Sequence, residues 1–229
     1  MQYSTNPPPI KDRLLYFVKR FPVSAFFIIA SIIVSIPVIL ARDLNILTPY
    51  LLDFVYFKLR ITASLYKSGL PEIASGHIYR LITPIFIHFN VMHIVFNMFA
   101  MYFMGAVMEF RQKRWFYIFL ILIFAILSNI AQYHVDGPKF GGMSGVIYGF
   151  FGYIWMQQKF NPKFGLFLEK QVIIIAVAWF VLCFTGLVGA IANTAHTVGL
   201  LSGIIVGLIV AFIPQKKILF NQIDLNHNR

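Results

Sequence analysis

Residues 195–213 read AHTVGLLSGIIVGLIVAFI, a run without a single charge, with a histidine near its start and glycines at 199, 203 and 207. At about 1.5 Å per helical residue, a run of this length matches a hydrocarbon core of about 30 Å. The three glycines fall on one helical face, and small residues four apart let two membrane helices approach backbone to backbone. The stretch predicts a membrane-spanning helix pressed onto a neighbour, with a histidine held inside lipid.

Working outward, the whole chain has the same character. Of its 229 residues 59% are hydrophobic and 12% charged, with 25 Phe, which lies outside the range of soluble domains of this length. Further apolar stretches occupy 22–41, 86–108, 115–133, 143–158 and 171–190. The expectation is an all-α membrane protein, a bundle of six transmembrane helices. The net charge of +11 could suggest nucleic acid, but the basic residues lie in the connections rather than on one face, so no nucleic-acid partner is expected.

The placement of charge predicts topology. The segments before 22, at 109–114, at 159–170 and after 213 carry 4, 3, 3 and 3 Lys or Arg, whereas 134–142 has only Lys139 and 191–194 has none. Basic residues collect on the cytoplasmic side, so both termini are expected there. The connection 42–85 holds five basic residues against this scheme, and its length makes it a weaker witness. Its LLDFVYFKLR segment (51–60) mixes aromatic and basic residues as an interfacial helix does, so this first external loop is expected to be partly embedded in the membrane.

Three parts follow: a cytoplasmic N-terminal tail (1–21) that becomes interfacial, a six-helix domain (22–213) and a cytoplasmic C-terminal tail (214–229). The first apolar run is long enough to be an uncleaved span rather than a signal peptide. Cys183 is the single cysteine, which excludes an intrachain disulfide and a Cys-based metal cluster.

Polar residues inside apolar helices are costly, so His93, Asn97, Ser144 and His196 raise a functional question. Each alone is most simply a helix-packing residue. Depth changes that reading. With the topology above, His93 lies 16 residues before Glu109, Ser144 15 before Lys159 and His196 18 before Pro214. These spacings put all three at roughly 22–27 Å above the inner boundary. The 143–158 helix carries its own glycines, Gly145, Gly149 and Gly152, so packing against the 195–213 helix could bring Ser144 to His196.

A serine hydroxyl needs a base to become a nucleophile, and His196 is the only plausible one on its helix. No Asp or Glu lies at the same depth, which favours a Ser–His dyad over a triad. Acyl transfer also needs donors for the developing oxyanion. Ser144 follows the GPKFGG segment and opens a helix, so backbone N–H groups are free there, and His93 and Asn97 share one face of the second span. Tyr148, one turn beyond Ser144, could stack on His196 or serve as an ordinary packing aromatic.

The segments YRLITPIFIH (79–88), HIVFN (93–97), GPKFGGMSGVIYGFFGY (137–153) and ANTAHTVGLLSG (192–203) together resemble the rhomboid family of intramembrane serine proteases, of the compact six-helix bacterial kind, over about 22–213. The GxSG element, Gly142-Met143-Ser144-Gly145, is weak alone but specific in this order with HxxxN and the later Ala-His pair. The resemblance implies Ser144 and His196 as the catalytic dyad, an oxyanion hole from His93, Asn97 and Ser144, and Tyr148 packed on the histidine. Gly142, Gly145, Asn193 and His88 match supporting positions. Arg80 resembles the arginine that anchors the family's first loop, with Tyr79 where a Trp is common, and Trp179 falls where family members have a residue of the lateral substrate gate.

The implied reaction is hydrolysis of a peptide bond in or near the transmembrane segment of a single-span protein, in a multi-pass protein of a bacterial cytoplasmic membrane. The partners implied are transmembrane protein substrates and membrane lipid. No cofactor and no metal are expected, since neither HExxH nor paired intramembrane aspartates occur. Two other classes stay open: an inactive relative that binds membrane helices, and a transporter or channel using His93, His134 and His196.

Overall fold

The computed structural model describes residues 9–44, 70–165, 168–187 and 191–213. The LLDFVYFKLR segment of the first loop and the C-terminal tail lie outside these residues. Among those described there is no strand. The helices are α1 (Ile10–Arg20), α2 (Pro22–Leu44), the single turn α3 (Pro71–Ala74), α4 (Val91–Arg111), α5 (Arg114–Asp136), α6 (Ser144–Phe160), α7 (Lys170–Phe184) and α8 (Asn193–Phe212). Four of them, α2, α4, α5 and α8, are long and apolar enough to cross a membrane, and α7 is a shorter apolar helix. Over the described residues the protein is an all-helical integral membrane protein.

The first helix, α1, lies within the stretch read as a tail. Its Phe17 is buried and stacks on Tyr102 of α4, with ring centroids 4.3 Å apart. Pro22 at the first position of α2 fits a helix start, because its missing N–H has no intrahelical partner in any case. The free N–H groups of that end are met by a carboxylate from α4. Glu109 accepts from Val23 N–H at 3.0 Å, Ser24 N–H at 2.8 Å and the Ser24 hydroxyl at 2.9 Å, placing negative charge on the positive end of a helix. Tyr117 Oη of α5 joins Ser24 Oγ at 3.0 Å, so three helices meet at one buried carboxylate.

The centre of the molecule is α6. Eleven of its 17 residues are buried, including Tyr153 and Phe150, whereas α7 buries only Cys183. A central helix need not show an apolar face and a polar face, because protein surrounds it on every side. Its contact with α8 is the most extensive between any two elements, and α5 also packs on both. That contact follows from the glycines. A Cβ at Gly203 would overlap the carbonyl oxygen of Gly149, and one at Gly152 would lie 2.6 Å from the carbonyl oxygen of Leu200.

Helix ends differ from the apolar stretches in places. The run 86–108 becomes a 3-10 turn at Thr83–Phe86, an irregular stretch and then α4, because Asn90 caps the helix by accepting from His93 N–H at 2.7 Å. His88 therefore lies before the helix. The run 171–190 gives a helix that closes at Phe184, with Gly186 in the left-handed region at φ 77°.

Candidate active site

The loop from α5 to α6 turns on three glycines, Gly137, Gly141 and Gly142. Gly137 ends α5 at φ 77°. At Gly141 a Cβ would lie 2.6 Å from the carbonyl oxygen of Ile87. Gly142 has φ 115°, open to glycine alone without strain, and a Cβ there would sit 2.6 Å from His93 Nε2. Gly142 N–H donates to the carbonyl of Pro84 at 3.0 Å. The next turn of chain starts α6 at Ser144, whose preceding residue, Met143, gives no side-chain cap. The first N–H groups of α6 therefore face outward from the helix start without intrahelical acceptors.

Close approach of α8 completes the pair. A Cβ at Gly199 would overlap the carbonyl oxygen of Gly145, the residue after Ser144. With backbones that close, His196 Nε2 lies 2.7 Å from Ser144 Oγ. Only 6% of His196 is exposed, and among the described residues none bonds its Nδ1. Tyr148 lies beside it, the ring centroids 4.7 Å apart and tilted by 38°, and Tyr148 in turn meets Phe180 of α7 edge-on.

His93, in the first turn of α4, sits over Gly142, and its ring is 4.9 Å from that of His88 at 65°. His88 is fully buried and its Nε2 accepts from Met143 N–H at 3.4 Å. Asn97 is buried one turn beyond His93, but its amide donates to the carbonyl of His93 at 2.8 Å rather than to the Ser144 turn. One of its two N–H donors remains after that bond. Asn193 Nδ2 donates to the carbonyl of Cys183 at 3.1 Å, tying the start of α8 to the end of α7. Arg80 is buried 4.0 Å from Glu72 within the first loop, and Trp179 of α7 meets Phe96 of α4 at 5.9 Å.

Two residues without a place in the sequence reading hold α8 in position. Gln132 Oε1 accepts from Ala195 N–H at 2.9 Å, and its Nε2 donates to Asp136 Oδ2 at 2.7 Å. Thr194 Oγ1 donates to the same carboxylate oxygen at 3.2 Å. The residue before α8 is Ala192, which cannot cap a helix, so α5 supplies the cap in its stead. The available signal was a glutamine inside the apolar run 115–133, one turn after Asn129, whose own amide holds the Leu81 carbonyl at 2.8 Å. Among the described residues no three of His, Cys, Asp and Glu come together in a way that could hold a metal ion.

The arrangement is that of a serine hydroxyl paired with an imidazole inside a helical membrane protein. The family model for the rhomboid domain matches residues 75–212, and the chain belongs to the rhomboid family. It is similar to the proteins named rhomboid protease GlpG of Salmonella paratyphi A, Salmonella newport and Salmonella typhi, each 38% identical over 137 residues. That match covers 59% of this chain and 48% of each relative. The chain thus matches about half the length of these curated relatives.

Proposed function

We propose that this protein is an intramembrane serine endopeptidase that cleaves single-span membrane proteins in or near their transmembrane segments. The observation that carries the reading is the 2.7 Å approach of Ser144 Oγ to His196 Nε2 on two helices in backbone contact. His196 Nε2 takes the hydroxyl proton as Oγ attacks the scissile carbonyl carbon, and the negative charge collects on the carbonyl oxygen. Ser144 N–H, the His93 ring and the free N–H of Asn97 are the donors assigned to that oxygen. The C–N bond breaks as the imidazolium returns its proton to the leaving amine. Water then gives a proton to His196 and attacks the acyl carbon, and as the C–Oγ bond breaks the imidazolium returns that proton to Ser144 Oγ, freeing the new carboxyl end and the serine. With His196 Nδ1 free of any described carboxylate, the pair acts as a dyad.

The finer architecture is part of the same proposal. Six spans are α2, α4, α5, α6, α7 and α8, in a domain over 22–213 flanked by cytoplasmic segments 1–21 and 214–229. The basic connections support both termini on the cytoplasmic side of a bacterial inner membrane. Substrate would enter from lipid past Trp179 and Phe96, and its helix must unwind locally for a carbonyl to reach Ser144.

The test is cleavage of a fluorescent single-span substrate by detergent-purified wild type and by Ser144→Ala. Wild type should cut and the variant should be at least about 10³-fold slower, since removing the nucleophile leaves only binding and oxyanion donors. Equal cutting by both would overturn the serine mechanism. Failure of wild type across a panel of such substrates would favour a helix-binding role.

A further inference from the structure

Ser35 of α2 is fully buried, and its hydroxyl makes three hydrogen bonds near the Ser144 turn. It donates to the carbonyl of Phe86 at 2.9 Å, accepts from His88 N–H at 3.0 Å and lies 3.1 Å from His88 Nδ1. A hydroxyl has one proton and two acceptor sites. With the proton spent on Phe86, Ser35 can only accept from Nδ1, which fixes the proton of the neutral His88 ring there. The Phe86 carbonyl, at 3.4 Å from Nδ1, favours the same tautomer. Nε2 is then bare, and it is the atom that accepts from Met143 N–H.

We infer that Ser35 is a positioning residue for the nucleophile, acting through the tautomer of His88 on the peptide between Gly142 and Met143. The inference rests on the reading of Ser144 as nucleophile. Its physical need is local. Gly142, at φ 115°, leaves the next peptide plane with little restraint of its own, and Met143 is fully buried, so its N–H has no water to turn to. A bare Nε2 gives that N–H one acceptor and fixes the plane that sets the Ser144 N–H and Oγ. The opposite tautomer would point two N–H groups at each other and rotate the turn.

The test pairs Ser35→Ala, which nearly keeps the volume, with Ser35→Cys, whose larger thiol is only a weak hydrogen-bonding group. Both should lower kcat by about tenfold, the effect of one buried hydrogen bond, with KM little changed. Labelling of Ser144 by a fluorophosphonate should slow by a similar factor. Selective ¹⁵N-histidine NMR should show a bare Nε2 on His88 in wild type and a mixed population of tautomers in both variants. His88→Gln, whose amide oxygen can accept from Met143 N–H, should retain more activity than His88→Leu. Folded Ser35 variants with wild-type rates and an unchanged histidine spectrum would overturn the inference, as would a lowered melting temperature with no change in tautomer. If wild type fails to label with the fluorophosphonate, it is the proposed nucleophile that falls, and the histidine spectrum still decides the role of Ser35.

Discussion

Replacing Gly199 by Ala should separate the two helices that carry Ser144 and His196. The added Cβ would lie 2.9 Å from the Gly145 carbonyl carbon and 3.1 Å from its Cα, with the carbonyl oxygen nearer still. Carbon atoms rest at about 3.5–4.0 Å and the oxygen is nearer than either carbon, so α8 must move off α6 by about 1 Å or more. The obstacle is backbone, which cannot rotate aside as a side chain would. The Ser144–His196 distance of 2.7 Å would then open to about 3.7 Å or more, past the limit of an O–H···N bond. A displacement of that size at a reacting pair costs about 100-fold in rate, and overpacking costs about 1–3 kcal/mol in stability. The assay is cleavage of a single-span substrate, with thermal unfolding in detergent alongside. Gly207→Ala is the comparison. It is also crowded, its Cβ falling 2.9 Å from Met156 Cβ, but it lies about 16 Å along α8 from His196. It should lower the melting temperature while the folded fraction loses far less activity. If Gly199→Ala cut substrate within about twofold of wild type, backbone contact between α6 and α8 could not be what sets the pair.

Gly142→Ala should lower activity by about tenfold or more, because its Cβ would meet His93 Nε2 at 2.6 Å and its φ of 115° is strained for alanine; substrate turnover and fluorophosphonate labelling both report it. Glu109→Ala should destabilise by about 2–4 kcal/mol, since it strands the Val23 and Ser24 N–H groups and leaves the Ser24 hydroxyl with Tyr117 Oη alone, as thermal unfolding would show. Gln132→Ala should cost about 1 kcal/mol, the value of a helix cap, and should lower turnover as well, because the uncapped end of α8 carries His196; Asn129→Ala, which loses only the Leu81 carbonyl, should affect stability more than turnover.

Lipid setting, helical class and family were legible from the residues alone. Long uncharged runs report on the solvent of a helix, and the family is carried by short motifs whose order survives without any knowledge of contacts. Helix ends were less so. Hydropathy cannot see that Asn90 caps α4 or that Gly186 follows the end of α7, so the apolar run 86–108 starts ahead of its helix and takes in His88, which lies before it. His93, Ser144 and His196 share a depth in the sequence and Asn97 shares a helical face with His93, but neither relation says how the side chains turn.

Only the tertiary structure decided those partners. Ser144 and His196 are 52 positions apart and meet because glycines on both helices remove the atoms that would hold the backbones apart. The Asn97 amide turns back to its own helix, and Gln132 reaches across to the start of α8, although both are simply polar residues in apolar runs. The physical reason is that burial in lipid is a property of each residue and can be summed along a chain. A hydrogen-bond partner is a property of two elements crossing at one angle and distance, and that crossing is fixed by packing.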